Sequence, residues 1–429
     1  MSEIVRCARA LTARGPREDF AFVVGDDGRI ADAGDFAEVR ARNEALPTRA
    51  FPADRVIVPG FVNGHSHAYQ ILLRGWGDDR TFQRWRSDAL YSVVPRLEPD
   101  DVYWTFAAAF GEMLGAGITS VVEFFYLNGS GNAHAQAAIH AAEDTGIRLI
   151  LARTWMDAPG APAAFRESAA DAAERTRSLR AANPGVAICV APHSLHGASQ
   201  EMLEGAAAFA KDAGCDLHIH VAETESEVDL ARERFQTTPV VALDRLGILS
   251  ECTVAVHAIH VTQEEKNLLG QRRVRVVRCP TTNLYLGDGL GEIDGFRERG
   301  ISVGLGTDAN VKPSILDEMR AASYEQKALR HDGSALGAAA AFGLGTYEGA
   351  RAAGIEAGDL AAGMPADFCV LDGAAIDPWS PLVNWAVYRC EPGQVQATFV
   401  GGRRVYTGEP SPLRAQARAR AAGICARLL

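Results

Sequence analysis

Short apolar runs recur through the middle of the chain, and stretches rich in alanine, glutamate and arginine separate them. The stretches 163–182 and 201–213 have the spacing of amphipathic helices, whereas the apolar runs have the length of buried strands. Runs of this kind lie at residues 121–125, 149–152, 186–190, 217–221, 254–257, 274–277 and 301–305. Alternating strands and helices predict a parallel sheet, and about eight such units predict an α/β fold with a (β/α)8 TIM-like barrel.

The two ends of the chain follow a different pattern, in which short strands are joined by tight turns. Residues 20–24 and 29–33 flank a Gly-Asp-Asp-Gly turn, and residues 395–400 precede a Gly-Gly turn near the other end. We therefore predict a small β-sandwich domain built from both termini. The expected division is residues 1–56 with 363–415 in this domain, 57–362 in the barrel and 416–429 in a C-terminal helix.

Composition and charge narrow the class of protein. The chain has 429 residues, of which 47% are hydrophobic, and a formal net charge of −11. This composition is that of a globular protein, and the negative charge argues against a nucleic-acid partner, which would need a concentrated basic surface. No apolar stretch reaches the roughly 18 residues of a membrane span, and the first residues do not resemble a secretory signal. The eight cysteines are scattered, so we expect reduced thiols and a cytoplasmic protein without a membrane partner.

Histidines cluster where the predicted strands end, which is the face of a barrel that carries chemistry. His65 and His67 follow the segment Pro-Gly-Phe-Val-Asn-Gly, and residues two apart on a strand point the same way. Both imidazoles can therefore face one ion. His218 and His220 repeat this spacing, with Glu223 three residues after His220. His220 and Glu223 suit a metal ligand and an adjacent proton carrier, whereas His218 is interpreted as a buried barrel histidine satisfied by a hydrogen bond.

Two further strand ends complete the pattern. His257 ends the run at 254–257, His260 is interpreted as a wall residue, and Asp308 follows Gly-Leu-Gly-Thr. Alone, Asp308 would equally well cap the next helix. Three imidazoles with one carboxylate, however, suit a borderline divalent cation with one position left for water. We expect Zn2+, although Fe2+ and Mn2+ accept the same ligands.

The distribution of lysine bears on the number of ions. The chain has 43 lysines and arginines together, but only four of them are lysines, and none lies between residues 186 and 193. Binuclear barrel hydrolases commonly bridge two ions with a carbamylated lysine on the corresponding strand. We therefore expect a single metal ion.

The order and spacing of these residues resemble the amidohydrolase superfamily, in its mononuclear deaminase branch. The matching segments are Pro-Gly-Phe-Val-Asn-x-His-x-His, His-Val-Ala-Glu, a later histidine and Gly-Thr-Asp, and the resemblance covers nearly the whole chain. It implies four metal ligands: His65, His67, His220 and Asp308. It implies three catalytic residues: Glu223, His257 and Asp308. It also implies a homodimer.

Within that branch, several segments resemble the formimidoylglutamate deiminases of histidine degradation. The resemblance implies that the substrate contacts Gln70, Arg86, Tyr126, His193 and the position of His196. His196 stands where those deiminases carry an arginine, and imidazole cannot form the planar pair of hydrogen bonds by which guanidinium holds a carboxylate. Either a glutamate substrate binds more weakly here, or the substrate has a different tail. Arg86 could still bind one carboxylate of the substrate.

These residues predict hydrolytic deamination of a C=N carbon in a small molecule that carries a carboxylate, such as N-formimino-L-glutamate or a close analogue. The metal would lower the pKa of a water molecule toward neutrality, and Asp308 and His257 would receive and orient its proton. Glu223 would then protonate the departing nitrogen, so that ammonia leaves.

The sequence also fits three other functions. An aminohydrolase of a purine, a pterin or an adenosyl thioether would share every ligand and differ only in the residues that bind the rest of the substrate. A cyclic amide or triazine hydrolase of the same superfamily would release no ammonia from an imine. A barrel that has lost catalysis and serves as a binding scaffold is disfavoured, because every ligand and acid position is filled.

Overall fold

The computed structural model describes residues 2–429, and its strands form two sheets. The first five strands are β1 (Glu3–Thr12), β2 (Gly15–Val24), β3 (Ile30–Asp35), β4 (Thr48–Ala50) and β5 (Arg55–Pro59). The next eight are β6 (Phe61–Ser66), β7 (Ile118–Phe125), β8 (Arg148–Trp155), β9 (Ala187–Pro192), β10 (Leu217–Val221), β11 (Thr253–His257), β12 (Arg275–Arg278) and β13 (Val303–Leu305). The last three are β14 (Phe368–Asp372), β15 (Val395–Val400) and β16 (Arg403–Tyr406).

Strands β6 to β13 form the barrel. They lie side by side in chain order, and every neighbouring pair is parallel. Each apolar run in the middle of the sequence overlaps one of them. Ser66 in β6 forms a parallel bridge with Asp308, just after β13, which brings the first strand beside the last. The predicted (β/α)8 barrel is confirmed.

The barrel strands are apolar because both of their faces are covered, one by the barrel interior and the other by helices. Every residue of β7 and of β10 is buried. Where the end of β13 meets β6, a Cβ atom on Gly306 would lie only 2.8 Å from the backbone of His65. Glycine alone allows this approach, which sets the spacing between two strands that carry site residues.

Helices connect the strands and surround the barrel. The α-helices are Phe36–Arg42, Phe82–Arg84, Tyr91–Val93, Pro99–Gly115, Ala133–Thr145, Ala169–Ala182, Gln200–Ala213, Glu225–Phe235, Pro239–Arg245, Gln263–Gln271, Pro280–Leu286, Asp294–Arg297, Ile315–Arg330, Ala338–Leu344, Tyr347–Ala353, Leu382–Tyr388 and Pro412–Leu428. The 3-10 helices are Ala68–Leu73, Val94–Arg96, Ala163–Phe165 and Pro392–Gln394, and Trp85–Leu90 is a π-helix. Among residues 2–429, no helix has both the length and the apolar character needed to span a bilayer.

The second sheet contains β1–β5 and β14–β16, so both ends of the chain contribute to it. β14 pairs antiparallel with β5, which joins the C-terminal strands to the N-terminal ones. Phe368 packs at the centre of this sheet, with its ring 5.1 Å from Phe22 and 4.2 Å from Phe399. The helix Pro412–Leu428 then returns to pack against Pro99–Gly115 of the barrel. The predicted sheet from both termini is therefore confirmed.

Candidate active site

Four side chains from distant parts of the chain converge at the C-terminal end of the barrel. His65 Nε2 lies 3.3 Å from Asp308 Oδ1 and 3.3 Å from His220 Nε2. His67 Nε2 lies 3.4 Å from the same oxygen of Asp308. Ligand atoms about 3.3 Å apart form the edges of a tetrahedron around an ion with bonds of about 2.0–2.1 Å, the Zn–N distance in proteins. The spacing of these atoms fits one tetrahedral divalent cation.

Hydrogen bonds on the far side of two rings leave their Nε2 atoms free for the ion. His67 Nδ1 donates to the Phe124 carbonyl at 2.8 Å, and His220 Nδ1 donates to the His193 carbonyl at 2.9 Å. Burial lowers the pKa of His65 and that of His67 to about 3, and it holds the pKa of His220 well below its usual value. The rings are therefore neutral at neutral pH, which is the form that binds metals.

The donor set matches a single ion. β9 carries no lysine that could bridge two ions after carbamylation. His65, His257 and Asp308 also place ligand atoms within 4.8 Å of one another, so His257 borders the same centre. The Nδ1 atom of His65 is buried without a hydrogen-bond partner among residues 2–429, whereas its Nε2 atom faces Asp308 and His220.

Unusual backbone conformations occur at the residues that carry the site. Ala222, His257, Ala258 and Asp308 have positive φ angles of 50°, 71°, 48° and 44°. Such angles cost energy for residues other than glycine and persist only where the surrounding structure holds them. At Asp308, the backbone N–H donates to the His65 carbonyl at 3.0 Å. The strand ends therefore turn sharply, which directs His257 and Asp308 toward the centre.

Glu223 lies beside the centre as a buried carboxyl group. Its Oε1 atom is 3.4 Å from His257 Nε2. Burial raises the pKa of Glu223 well above its usual range, and the negative charges of Asp288 and Asp308 raise it further. A carboxyl group that keeps its proton at neutral pH can give that proton to a leaving group. The position and protonation of Glu223 thus suit a general acid.

A cavity opens above the centre. Every site residue predicted from the sequence lines this cavity except His65, which is buried beneath it. Most of the remaining wall is aromatic or aliphatic, and it contains Phe82, Trp85, Leu90, Tyr91, Met156, Phe165 and Leu286. Such a wall suits a flat, unsaturated ligand.

The cavity wall holds one permanent positive charge. Arg86 is the only arginine or lysine among the lining residues, and its guanidinium carbon lies 5.8 Å from the ring centres of Phe82 and Tyr91. Burial, with a smaller contribution from Arg86, lowers the pKa of His196 to about 4. His196 is therefore neutral at neutral pH, and Arg86 alone can balance an anionic group on a substrate.

Gln70 and Tyr126 form a pair in the same wall. Gln70 Nε2 donates to the Tyr126 hydroxyl at 3.0 Å. Gln70 Oε1 is buried and has no hydrogen-bond partner among residues 2–429. Buried acceptors are normally satisfied, so this oxygen is available to an N–H group of a bound ligand.

Two histidines of the sequence clusters lie outside the centre. His218 is fully buried in β10, but neither of its ring nitrogens has a hydrogen-bond partner within residues 2–429, so the expected bond is absent there. His260 Nε2 donates to the Asp288 carbonyl at 2.7 Å and holds the loop around that residue.

Three polar residues near the centre were not predicted from the sequence: Glu123, Asn283 and Asp288. The Glu123 carboxylate accepts the Ala68 N–H at 2.9 and 3.0 Å, which fixes the turn after the first histidine pair. Glu123 could have been identified from the sequence, because it is a charged residue inside the apolar run at residues 121–125. Asn283 lies beside His257 and Asp288 lies beside Asn283; no spacing rule marks either residue, since packing alone brings them there.

A parallel barrel whose C-terminal strand ends carry three imidazoles and a carboxylate defines the class of metal-dependent barrel hydrolases. Residues 56–405 match the Amidohydrolase family. Because this match covers most of the chain, the protein belongs to the amidohydrolase family, as the sequence motifs predicted.

Several similar proteins are named as deaminases of adenosine or its derivatives. The chain is 31% identical to a 5-methylthioadenosine/S-adenosylhomocysteine deaminase of Symbiobacterium thermophilum, over 90% of this chain and 88% of that protein. It is also 31% identical to a 5'-deoxyadenosine deaminase of Methanothermobacter thermautotrophicus, over 89% of this chain and 88% of that protein. Among solved structures, an adenosine deaminase of Xanthomonas campestris with bound zinc superposes with a TM-score of 0.89 at 26% identity and 98% coverage of both chains.

These findings define the reaction class. The protein is a hydrolase that acts on carbon–nitrogen bonds other than peptide bonds. The narrower resemblance to formimidoylglutamate deiminases finds no support in these relatives, whose names indicate adenosine-derived substrates.

Proposed function

We propose that the protein is a metal-dependent aminohydrolase that removes ammonia from the amidine carbon of an adenosine-type substrate. One observation carries the proposal: Glu223, a carboxyl group whose pKa burial raises, lines the cavity beside the four-ligand centre. This arrangement supplies both a place for an activated water and a proton for a nitrogen leaving group.

The reaction follows from the positions of two carboxyl groups. A divalent ion held by the four ligands supplies Lewis-acid chemistry, since it lowers the pKa of a water molecule toward neutrality. Asp308 also lines the cavity, so its carboxylate can accept the proton that the water loses. As the C–O bond forms and the C–N bond breaks, Glu223 gives its proton to the departing nitrogen. Ammonia leaves, the remaining hydroxyl proton passes to the neighbouring ring nitrogen so that a carbonyl group forms, and the proton held by Asp308 restores Glu223.

An adenine ring contains such an amidine, and two features support it as the substrate group. The relatives described above are named as deaminases of 5-methylthioadenosine, S-adenosylhomocysteine and 5'-deoxyadenosine. The cavity has an aromatic wall of the kind that holds a planar ligand.

A second substrate class, the N-formimidoyl amino acids, is favoured by Arg86. This guanidinium would pair with one carboxylate of such a substrate. Because His196 is neutral, a second carboxylate would have no charged partner beside it. A formimidoyl compound with a single carboxylate therefore fits this wall better than N-formimino-L-glutamate does.

Ammonia release by the purified, zinc-loaded protein tests the reaction and separates the two classes. The panel contains 5-methylthioadenosine, S-adenosylhomocysteine, 5'-deoxyadenosine, and the N-formimidoyl derivatives of glycine, aspartate and glutamate. We expect ammonia from at least one adenosine derivative. Turnover confined to formimidoyl compounds would move the assignment to the second class, and no ammonia from any compound would refute the proposed reaction.

Replacement of Arg86 by methionine gives an independent measure of the substrate's charge. A hydrogen bond to a charged group contributes about 1.5–3 kcal/mol, so Arg86→Met should raise KM for a carboxylate substrate roughly 10- to 100-fold. A smaller rise in KM is expected for 5'-deoxyadenosine, because it carries no anionic group. Arg84→Met is the matched control, because the Arg84 side chain is 76% exposed. An unchanged KM for every substrate would exclude Arg86 from substrate binding.

A further inference from the structure

Asn283 connects His257 to a carboxylate that the reaction above does not use. The Asn283 Nδ2 atom lies 3.2 Å from His257 Nδ1 and 3.2 Å from Asp288 Oδ2. All three side chains are buried. Asp288 is held in turn, because its backbone N–H donates to the Asn283 carbonyl at 2.9 Å and its carbonyl accepts from His260 at 2.7 Å. These contacts form a rigid support on the far side of the His257 ring.

The direction of the hydrogen bonds follows from the chemistry of the groups. Above the pKa of about 7 that burial gives Asp288, its carboxylate only accepts hydrogen bonds, so the Asn283 amide turns its NH2 group toward Asp288. The opposite orientation would place two oxygen atoms face to face at 3.2 Å. The second hydrogen of the same NH2 group then points at His257 Nδ1, which has to accept it.

His257 therefore carries its ring proton on Nε2, the nitrogen that faces Glu223. The separation from Glu223 Oε1 is 3.4 Å, so this N–H points into the reaction site. His257 is only 1% exposed, and its carbonyl accepts a hydrogen bond from the buried Arg278 guanidinium. The ring has little freedom to turn over and exchange its two nitrogens.

We propose that Asn283 and Asp288 are positioning residues that lock His257 in the Nε2–H tautomer, so that His257 donates a hydrogen bond at the reacting centre. The inference rests on the proposed function, because it assigns a role within that reaction. A neutral N–H donor stabilises the negative charge that develops on oxygen in the tetrahedral state. Asp308 is then the acceptor of the water's proton, and the expectation that His257 shares this proton is revised.

The tautomer of His257 can be measured directly by nuclear magnetic resonance. The full-length protein, labelled with 15N-histidine and loaded with diamagnetic Zn2+, is examined by long-range 1H–15N correlation at about pH 8, above the pKa of about 7 that burial gives Asp288. His257→Gln removes one set of ring signals and so assigns them. We expect a protonated Nε2 and an unprotonated Nδ1. A protonated Nδ1 in the wild-type protein would overturn the proposal.

Asn283→Asp tests the support itself. The new carboxyl group shares a proton with Asp288 and offers an oxygen to His257, so Nδ1 becomes protonated and Nε2 loses its proton. Loss of the donor should lower kcat on the order of 10²-fold. Asn267→Asp is the matched control, since Asn267 is exposed and accepts from Arg299 at 2.6 Å. It should change neither the tautomer nor kcat.

The outcomes separate this inference from the proposed function. An unchanged tautomer in Asn283→Asp would overturn the positioning role, and if that variant does not fold, the wild-type spectrum decides alone. The spectra need no substrate, so failure to release ammonia from any compound would refute the reaction while leaving the tautomer measurement readable.

Discussion

Burial acts in opposite directions on the two kinds of titratable residue in the active site. It lowers the pKa of the imidazoles, such as that of His65, and raises the pKa of the carboxyl group of Glu223. Both shifts have one cause, because an apolar environment disfavours whichever form is charged. The same surroundings thus prepare neutral ligands for an ion and a protonated acid for the leaving group.

The Glu223→Gln variant tests the general acid. Glutamine has nearly the same shape but no acidic proton, so we expect kcat to fall on the order of 10²- to 10⁴-fold. Metal content, measured by elemental analysis, should not change, because Glu223 is not a ligand. Glu225→Gln, in the exposed first turn of the following helix, is the control. A Glu223→Gln variant that keeps more than about a tenth of the wild-type kcat would contradict this role.

Spacing along the chain identifies residues that act from one strand, but it does not identify residues that meet through packing. His65 and His67 were predictable because positions two apart on a strand face the same side. Asn283 and Asp288 were not, because Asn283 reaches His257 from a helix and Asp288 reaches Asn283 from a loop, and both positions depend on the folded barrel.

At the scale of elements, the closure of the barrel and the metal site share the same contacts. The His67 N–H donates to the Asp308 carbonyl at 2.9 Å, and the Asp308 N–H donates to the His65 carbonyl at 3.0 Å. Three of the four ligands therefore lie on the two segments that close the sheet. Any change that separates these segments should weaken both the fold and the binding of metal.

Gly306→Ala provides such a change. The added methyl group would lie 2.8 Å from the His65 backbone, so β6 and the end of β13 must move apart. Overpacking of this kind costs about 1–3 kcal/mol of unfolding free energy, which denaturant titration measures. Competition with a chromogenic chelator should show weaker Zn2+ binding in the same variant. Gly333→Ala, where no atom lies within 4 Å of the new group, is the control and should match the wild type.

The sequence predicted the regular elements better than the irregular ones. Apolar runs located β7 to β13 because a buried parallel strand has few alternatives to a continuous apolar segment. The connection after β6 instead contains the 3-10 helix Ala68–Leu73 and the π-helix Trp85–Leu90. Neither has a distinctive hydrophobic period, so their shape depends on the cavity that they cover.

For the whole molecule, buried carboxyl groups make the stability depend on pH. Burial raises the pKa of Glu227 from 4.5 to about 7, and its Oε1 atom has no hydrogen-bond partner in the described chain. Between these two values the folded protein keeps a proton that the unfolded chain loses. The contribution of Glu227 to stability is therefore present below pH 4.5 and is lost as the pH rises to about 7.

Glu227→Gln removes this dependence. The amide oxygen can still accept the Glu223 N–H, which the carboxylate accepts at 3.0 Å. We expect the variant to gain stability relative to the wild type as the pH rises, by up to about 3 kcal/mol. Urea titrations at several pH values measure the difference, and Glu233→Gln, exposed on the same helix, is the control. A constant difference across the range would show that Glu227 does not titrate in this way.

The segment that carries Arg86 lies outside the barrel strands, whereas the ion ligands lie at the ends of those strands. The π-helix Trp85–Leu90 belongs to a single connection between β6 and β7 and lines the cavity that the centre shares. Sequence changes in this one connection can therefore alter which substrate binds without changing the residues that hold the ion. Related chains that share these metal ligands but act on different substrates should differ first at this connection.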